Sequence, residues 1–455
     1  MNTEKKYYFV GIGGSGMSSL GQLLQQRGAS VCGSDRSFDQ GLNLPLRRKL
    51  VLQGIELAPQ QEQSVTAGID ELVVSTAIEA SSGEIRRARE LGIPVVHRSE
   101  LLARLFNAAR GIAIGGTSGK TTVTAMAASV LDAAGLDPSF VNGGFVKQYI
   151  SRMHPGNARS GSSAYMVCEA DESDGSIVGY RPAISVITNI TKDHKDLPEL
   201  RSLFQTFADN TTETLITCGD CPEATAISFS GRRITYGLSQ NCELHPERID
   251  MQPGGAVFFA GGIRFRLRVP GMHNLQNALA AIAVGRSLDI PLQALAKGLA
   301  AFRGVKRRLD SVGRRGGVLV VDDFGHNPDK IGASIAALRP MGSRLIIVFQ
   351  PHGYGPTRFL LPELARTFSS QLNPDDILVC LKIYDAGGTA DRSISASDVL
   401  ERVNGPRCEY VPERRDVLDF LKGQARPGDV IAVMGARDDS LSAFARSILR
   451  GLKGR

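Results

Sequence analysis

The chain has 455 residues, too many for one hydrophobic core and suited to about three domains. With 42% hydrophobic and 22% charged residues its composition is that of an ordinary globular protein, and no apolar run approaches the roughly 18 residues of a membrane span. A formal charge of +7, with no lysine–arginine block interleaved with aromatics, argues against a nucleic-acid track and suits small anionic substrates.

The N-terminus leads straight into a strand rather than a signal peptide, which predicts a cytoplasmic protein. Tyr7 to Val10 reads as a buried strand, Gly11-Ile12-Gly13-Gly14-Ser15-Gly16 satisfies G-x-G-x-x-G, and Met17 to Arg27 continues with helical periodicity. The next strand, Ala29 to Gly33, ends at Ser34-Asp35. An acid in that place suits a ribose hydroxyl, so the unit predicts a diphosphate-nucleotide site, NAD being the first candidate. The alternative is a glycine turn that only permits tight strand-to-helix packing. Strands at Leu72 to Thr76 and Ile93 to Val96 and a helix from Ser99 to Ala109 complete the first unit.

A second glycine loop follows the apolar Gly111-Ile112-Ala113-Ile114: Gly115-Gly116-Thr117-Ser118-Gly119-Lys120-Thr121-Thr122. At a strand end such a turn closes consecutive N–H groups on phosphate oxygens, while Lys120 adds a point charge and Thr121 a hydroxyl for Mg²⁺. The spacing departs from G-x-x-x-x-G-K-S/T, because Ile114 stands where the first glycine belongs. The alternative is a glycine turn that happens to contain Lys-Thr.

The strand Tyr165 to Cys168 delivers Glu169, Asp171, Glu172 and Asp174 at its end. Four carboxylates repel one another unless a cation or donors neutralise them, so one of them is expected on Mg²⁺; a solvated acidic turn is the alternative. The strand Ile184 to Thr188 runs into Asn189-Ile190-Thr191-Lys192-Asp193-His194, expected on the same sheet edge as Lys120 and Glu169. There His194 suits a second divalent ion or a phosphoryl oxygen, although a lone histidine is usually structural. The seven cysteines form no disulfide pattern, and Cys218-Gly219-Asp220-Cys221 has no second pair to complete a zinc site, so it reads as structural.

A β-rich stretch spans residues 225 to 270. An alanine-rich helix, His273 to Leu288, opens with Asn274 and Asn277, which suit an adenine or ribose edge or simply cap the helix. A shorter helix runs from Pro291 to Phe302. Lys306-Arg307-Arg308 is either a solvated basic turn or a polyphosphate clamp. Strands then recur at Gly317 to Val321, Arg344 to Phe349, Asp376 to Leu381 and Asp429 to Met434, the first two followed by Asp322-Asp323-Phe324-Gly325-His326-Asn327-Pro328 and Gln350-Pro351-His352. Alternating strand and helix patterns favour parallel sheets flanked by helices.

In this order the motifs resemble the Mur ligases, most closely the alanine-adding branch, over nearly the whole chain. The resemblance implies an α/β protein of three domains: a Rossmann-like N-terminal domain for a UDP-sugar over residues 1–108, a central P-loop ATPase domain over 109–309, and a Rossmann-like C-terminal domain over 310–455 that admits the amino acid. It implies that Gly11, Gly13, Gly14, Ser15, Gly16 and Met17, with Asp35, Ser75 and Thr76, bind the UDP-sugar and not NAD. ATP is then held by Gly116, Thr117, Ser118, Gly119, Lys120, Thr121 and Thr122, assisted by Asn277, Arg308, Asp323 and His326. Lys120 and His194 are the implied catalytic residues, and Mg²⁺ falls to Thr121, Glu169 and His194.

The reaction so implied joins UDP-N-acetylmuramate to L-alanine, or to a short preformed peptide, through an acyl phosphate. Asn327 and the stretch Gly353-Tyr354-Gly355-Pro356-Thr357-Arg358 depart from the family pattern in the domain that admits the amine, so both amines stay open. Joints near residues 109 and 304 suit hinges. An NAD-dependent oxidoreductase and a phosphate-binding regulator that has lost catalysis are the remaining alternatives. The oligomeric state is not legible.

Overall fold

Buried apolar strands with a glycine at their C-terminal ends dictate where phosphate groups are received, and the register of those strands decides what stands beside them. A computed structural model describes residues 5–192, 195–385 and 391–452. The first sheet holds β1 (Lys6–Val10), β2 (Ser30–Ser34), β3 (Glu56–Ala58), β4 (Glu71–Val74) and β5 (Val95–His97) in the order β3-β2-β1-β4-β5, all parallel. The order reverses at β1, so the crevice between the ends of β1 and β4 is a topological switch point. Ligands bind at such points in open α/β sheets.

The second sheet holds β6 (Arg110–Gly115), β7 (Ser139–Val141), β8 (Ala158–Arg159), β9 (Tyr165–Glu169), β10 (Ile184–Ile187), β11 (Thr214–Cys218) and β12 (Arg232–Tyr236), in the order β12-β11-β10-β6-β9-β7-β8. Parallel registers pair Ile114 with Glu169 and Gly115 with Ile187, which brings the second glycine loop, the acidic motif and Thr188-Asn189 to one edge. Ile112, Ala113 and Ile114 are fully buried beneath that edge. The helix Lys120–Ala133 is buried from Thr121 to Leu131. Gly298 of the helix Leu292–Ala301 makes this possible: a Cβ there would stand 2.7 Å from the Val130 Cα, so the two helices meet at their backbones. Close packing without voids holds the start of the phosphate-loop helix in place.

A small sheet follows, β13 (Arg248–Gln252), β14 (Gly255–Ala260) and β15 (Ile263–Leu267). The last sheet is β16 (Asp310–Arg315), β17 (Val318–Asp323), β18 (Arg344–Phe349), β19 (Ile377–Cys380), β20 (Arg407–Tyr410) and β21 (Asp429–Met434), ordered β16-β17-β21-β18-β19-β20. All its pairs are parallel except β16 on β17. That exception to the all-parallel expectation is an edge strand with a register shift between Ser311 and Gly313 and two terminal arginines, a polar sequence that resists edge-to-edge pairing. The chain packs as two compact units, Met1–Ile249 with Phe258–Arg266 and Gln276–Arg303, and Asp250–Val257 with Leu267–Leu275 and Gly304–Arg455.

Candidate active site

In the second loop, glycine is a steric requirement. Gly116 has φ +131° and a Cβ there would lie 1.9 Å from the Thr188 Oγ1; Gly119 has φ +89° and a Cβ there would lie 2.6 Å from the Asn277 Oδ1. Both positions are left-handed backbone that other L-residues adopt only under strain. Asn189 fastens the loop from the neighbouring strand, its Oδ1 accepting from the Thr117 hydroxyl at 2.7 Å and the Ser118 N–H at 2.9 Å. Thr188 donates to the Ser118 carbonyl at 2.6 Å, and Thr191 joins the Thr117 hydroxyl at 2.8 Å. The loop is therefore built before any ligand arrives.

Lys120 opens the following helix, with Nζ 2.8 Å from the Gly116 carbonyl, 2.6 Å from Glu172 Oε2 and 3.8 Å from Asp171 Oδ1. Burial works to lower its pKa, but the Glu172 and Asp171 carboxylates outweigh that and hold the ammonium above its ordinary value. Thr121 donates to Glu169 Oε2 at 3.0 Å, and the Gly143 N–H donates to Glu169 Oε1. Thr122 is buried in the same helical turn. Lys120, Thr121 and Glu169 thus converge at one place. Asn277 is buried with its carboxamide against Gly119. His194 lies outside the described residues, together with Asp193.

The first loop is held differently. The Gly13 N–H donates to Asp35 Oδ2 at 2.7 Å, and Asp35 Oδ1 accepts from the Ser37 N–H at 2.9 Å, so Asp35 ties the loop to the short helix Arg36–Asp39. Gly14 precedes the helix Ser15–Gln26, whose first amides receive no side-chain cap. Gly14, Ser15, Gly16, Met17 and Ser75 line a cavity of 290 Å³, whereas Thr76 stands exposed outside it and Gly11, φ +78°, packs on Ile78. The far wall of the cavity is Asn142, Gly143, Glu169 and Asp171. One continuous space therefore runs from the first glycine loop to the carboxylate beside Thr121 and Lys120.

The sequence did not single out the residues that complete that space, Arg98, Asn142, Gly143 and Tyr180. Asn142-Gly143-Gly144 after a short apolar run was the available signal, a turn at a strand end. The C-x-x-C turn packs beside the loop: its cysteines are free, and Cys221 Sγ accepts the Ile190 N–H at 3.4 Å. Among the described residues no group of three or more His, Cys, Asp or Glu side chains is arranged to hold a metal. A magnesium ion carried in on phosphate needs fewer protein ligands than that, and Thr121 with Glu169 fits it.

In the second unit, Arg307 and Arg308 lie over the Phe324 ring with Cζ 4.9 and 4.6 Å from its centre. Asp323 accepts the Leu309 N–H at 2.8 Å, the Gly325 N–H at 3.0 Å and the Ser334 hydroxyl at 2.7 Å, so its carboxylate is already occupied in shaping this turn. His326 donates from Nδ1 to the Phe324 carbonyl at 2.8 Å and stacks edge-on against His352. Burial, with Lys330 and His352 adding to it, lowers its pKa to about 3, so the ring is neutral at pH 7.

Three family models match the chain: "Mur ligase family, catalytic domain" over residues 6–110, "Mur ligase middle domain" over 114–285 and "Mur ligase, glutamate ligase domain" over 307–437. The chain is similar to the UDP-N-acetylmuramate–L-alanine ligase of Cyanothece sp., 36% identical over 462 residues that cover 95% of this chain and 92% of that one. The ligase of the same description from Burkholderia ambifaria is 38% identical over 456 residues, 95% of each chain. Among solved structures, the UDP-N-acetylmuramate-alanine ligase of Thermotoga maritima matches with a TM-score of 0.81 at 24% identity, over 98% of both chains. A murein peptide ligase from Psychrobacter arcticus matches with a TM-score of 0.71 at 21% identity, also over 98% of both. At those identities the structural likeness speaks for the fold, a three-domain α/β architecture.

Proposed function

The chain belongs to the Mur ligase family, and from that premise we propose how its residues divide the work of an ATP-dependent ligase. It joins L-alanine to the carboxylate of UDP-N-acetylmuramate through an acyl phosphate, a step in building peptidoglycan precursors. The oxidoreductase and regulatory readings of the two loops are not retained.

The observation that carries the assignment of residues is the cavity that runs from the Gly14–Gly16 turn to Glu169 and Asp171, the carboxylates beside Thr121 and Lys120. In this reading the backbone amides from Gly116 to Thr121 receive the phosphates, and Lys120 leaves Glu172 for the β and γ oxygens. Thr121 and Glu169 hold Mg²⁺, which when bound neutralises phosphate charge and polarises the transferred phosphoryl group. A carboxylate is a poor acylating agent until phosphate provides its leaving group, so the protein's contribution is positioning and charge neutralisation. The first loop aims the sugar carboxylate at the phosphoryl group. The amine then displaces phosphate from the acyl carbon, and ADP, phosphate and the amide are released.

Asn277, Arg308 and His326 contact the nucleotide in this reading, Asp323 acts through the turn it shapes, and His194 serves the second metal position. Residues 1–108, 109–309 and 310–455 are the corresponding sugar, ATP and amine domains. No helix among the described residues is long and apolar enough to cross a membrane. ATP and a nucleotide-linked sugar as substrates place the reaction in the cytoplasm.

The test is product identity. Incubated with Mg²⁺, ATP, UDP-N-acetylmuramate and either L-alanine or an L-alanyl tripeptide, the protein is expected to form the L-alanine amide by mass spectrometry. Faster turnover of the tripeptide would move the assignment to the peptide-adding reaction.

A further inference from the structure

The substrate cavity contains one guanidinium that the protein leaves unsatisfied. Arg98 opens the helix Arg98–Asn107, whose start is fixed by His97: the His97 Nδ1 accepts the Ser99 N–H. This places Arg98 and Ser99 in the cavity wall beside Gly16. The Arg98 side chain lies flat on the Gly16 backbone, such that a Cβ at Gly16 would meet Nη1 at 3.1 Å, Cδ at 3.3 Å and Cζ at 3.4 Å. Glycine at that position is what lets the guanidinium approach the first turn of the helix Ser15–Gln26.

Among the described residues Arg98 has no hydrogen bond and no ion pair within 4 Å. Arg159, partly buried in the same unit, pairs with Asp132 and Asp137, and even the exposed Arg104 and Arg110 pair with Glu71 and Glu213. The charge that acts on Arg98 does so at longer range, Asp171, which also lines the cavity. A guanidinium has five donors in a planar fork, and no protein group claims those of Arg98, which leaves them to a ligand. The cavity holds a second unmet group: Asn142 is 1% exposed, and its Oδ1 has no hydrogen-bond partner.

We propose that Arg98 is a substrate-binding residue that takes the diphosphate of the nucleotide-linked sugar in a forked contact, opposite the amides at the start of the helix Ser15–Gln26. This rests on the ligase reading for the identity of the substrate. The diphosphate is chosen over the sugar's carboxylate because Arg98 sits on Gly16, at the glycine-loop end of the cavity, whereas the carboxylate must reach the far end beside Glu169. The bidentate geometry accounts for arginine rather than lysine.

The test is calorimetric titration of UDP and of uridine into the unaltered protein, Arg98→Lys and Arg98→Met. UDP is expected to bind Arg98→Met about 10- to 100-fold more weakly, the range for a lost charge-assisted contact, with Arg98→Lys between the two and uridine unchanged throughout. In turnover the KM for UDP-N-acetylmuramate is expected to rise by the same factor and the KM for ATP to stay within about 2-fold. Equal UDP affinity in all three proteins, with UDP binding the unaltered one, overturns the role of Arg98 and leaves the ligase reading standing. A fall in kcat with unchanged UDP affinity also overturns it, by moving Arg98 to the carboxylate. Failure of UDP to bind the unaltered protein removes the nucleotide-sugar assignment of the cavity, and the proposal with it.

Discussion

The two glycine loops are built from the same elements, a parallel strand, a glycine turn and a helix N-terminus, yet they meet their ligands in opposite states. The second loop is closed on itself: Thr117 and Ser118 are bound to Asn189, Lys120 to Glu172 and Thr121 to Glu169. The first loop is held from behind, by Asp35 on the Gly13 amide, the Ser34 carbonyl on the Gly11 and Ile12 amides and Asn157 on the Ser15 carbonyl, and opens forward onto the cavity beside an unpaired Arg98. A loop that supplies its own counter-charges keeps its shape while empty, and its ligand must displace carboxylates. A loop without them relies on the charge of the ligand. The difference teaches that two sequence motifs of similar grammar imply different energetics, set by residues far away in sequence.

The largest effect follows from removing the charge at the closed loop. Lys120→Ala is expected to lower the rate of amide formation at least about 10²- to 10³-fold, while UDP binding at the open loop stays within about 3-fold, as calorimetry would show. Loss of UDP binding as well would mean that the loops act as one site.

Glycine substitutions sharpen the contrast in stability. Gly116→Ala puts a Cβ 1.9 Å from Thr188 at φ +131° and is expected to cost about 3 kcal/mol or more in denaturant unfolding. Gly14→Ala in the open loop has φ −64° and nothing nearer than the Gly11 carbonyl at 3.5 Å, so a cost under about 1 kcal/mol is expected. Equal costs would erase the distinction between a pre-built and an open loop.

The last effect, spread over several pH units, uses the second unit as a control, since it carries neither loop. Burial holds the His326 pKa near 3, below its unfolded value, so the unfolded chain binds the extra proton first. Stability from this group is complete above about pH 6.5 and falls as the pH drops toward 3, by at most about 1.4 kcal/mol per pH unit. His326→Asn is expected to flatten that part of the profile in urea unfolding. An unchanged profile would transfer the acid sensitivity to the ion pairs of Lys120.

Most of the fold was legible because its strands are short apolar runs ending in glycine or an acid. The strands expected at Tyr7 to Val10, Tyr165 to Cys168, Arg344 to Phe349 and Asp429 to Met434 all appear within a residue or so. The antiparallel β16 was not legible, since Asp310-Ser311-Val312-Gly313-Arg314-Arg315 has no apolar run and earns its place by pairing with β17. At the site, the motifs placed Lys120, Thr121 and Glu169 together because parallel register is a local rule. Asp35 read as a ribose ligand, and the structure shows it occupied with the Gly13 amide and Ser37. Arg98 and Asn142 escaped because a lone arginine or asparagine has no pattern; only the cavity, a product of tertiary packing, distinguishes them.

The central claim is that the space runs from the first loop to the carboxylates that hold the second, so that ATP is cleaved only when the sugar carboxylate lies in it. Phosphate release should be followed with ATP and Mg²⁺, omitting UDP-N-acetylmuramate and L-alanine in turn. The account predicts sustained release only when both are present; release at the full rate without UDP-N-acetylmuramate would contradict it.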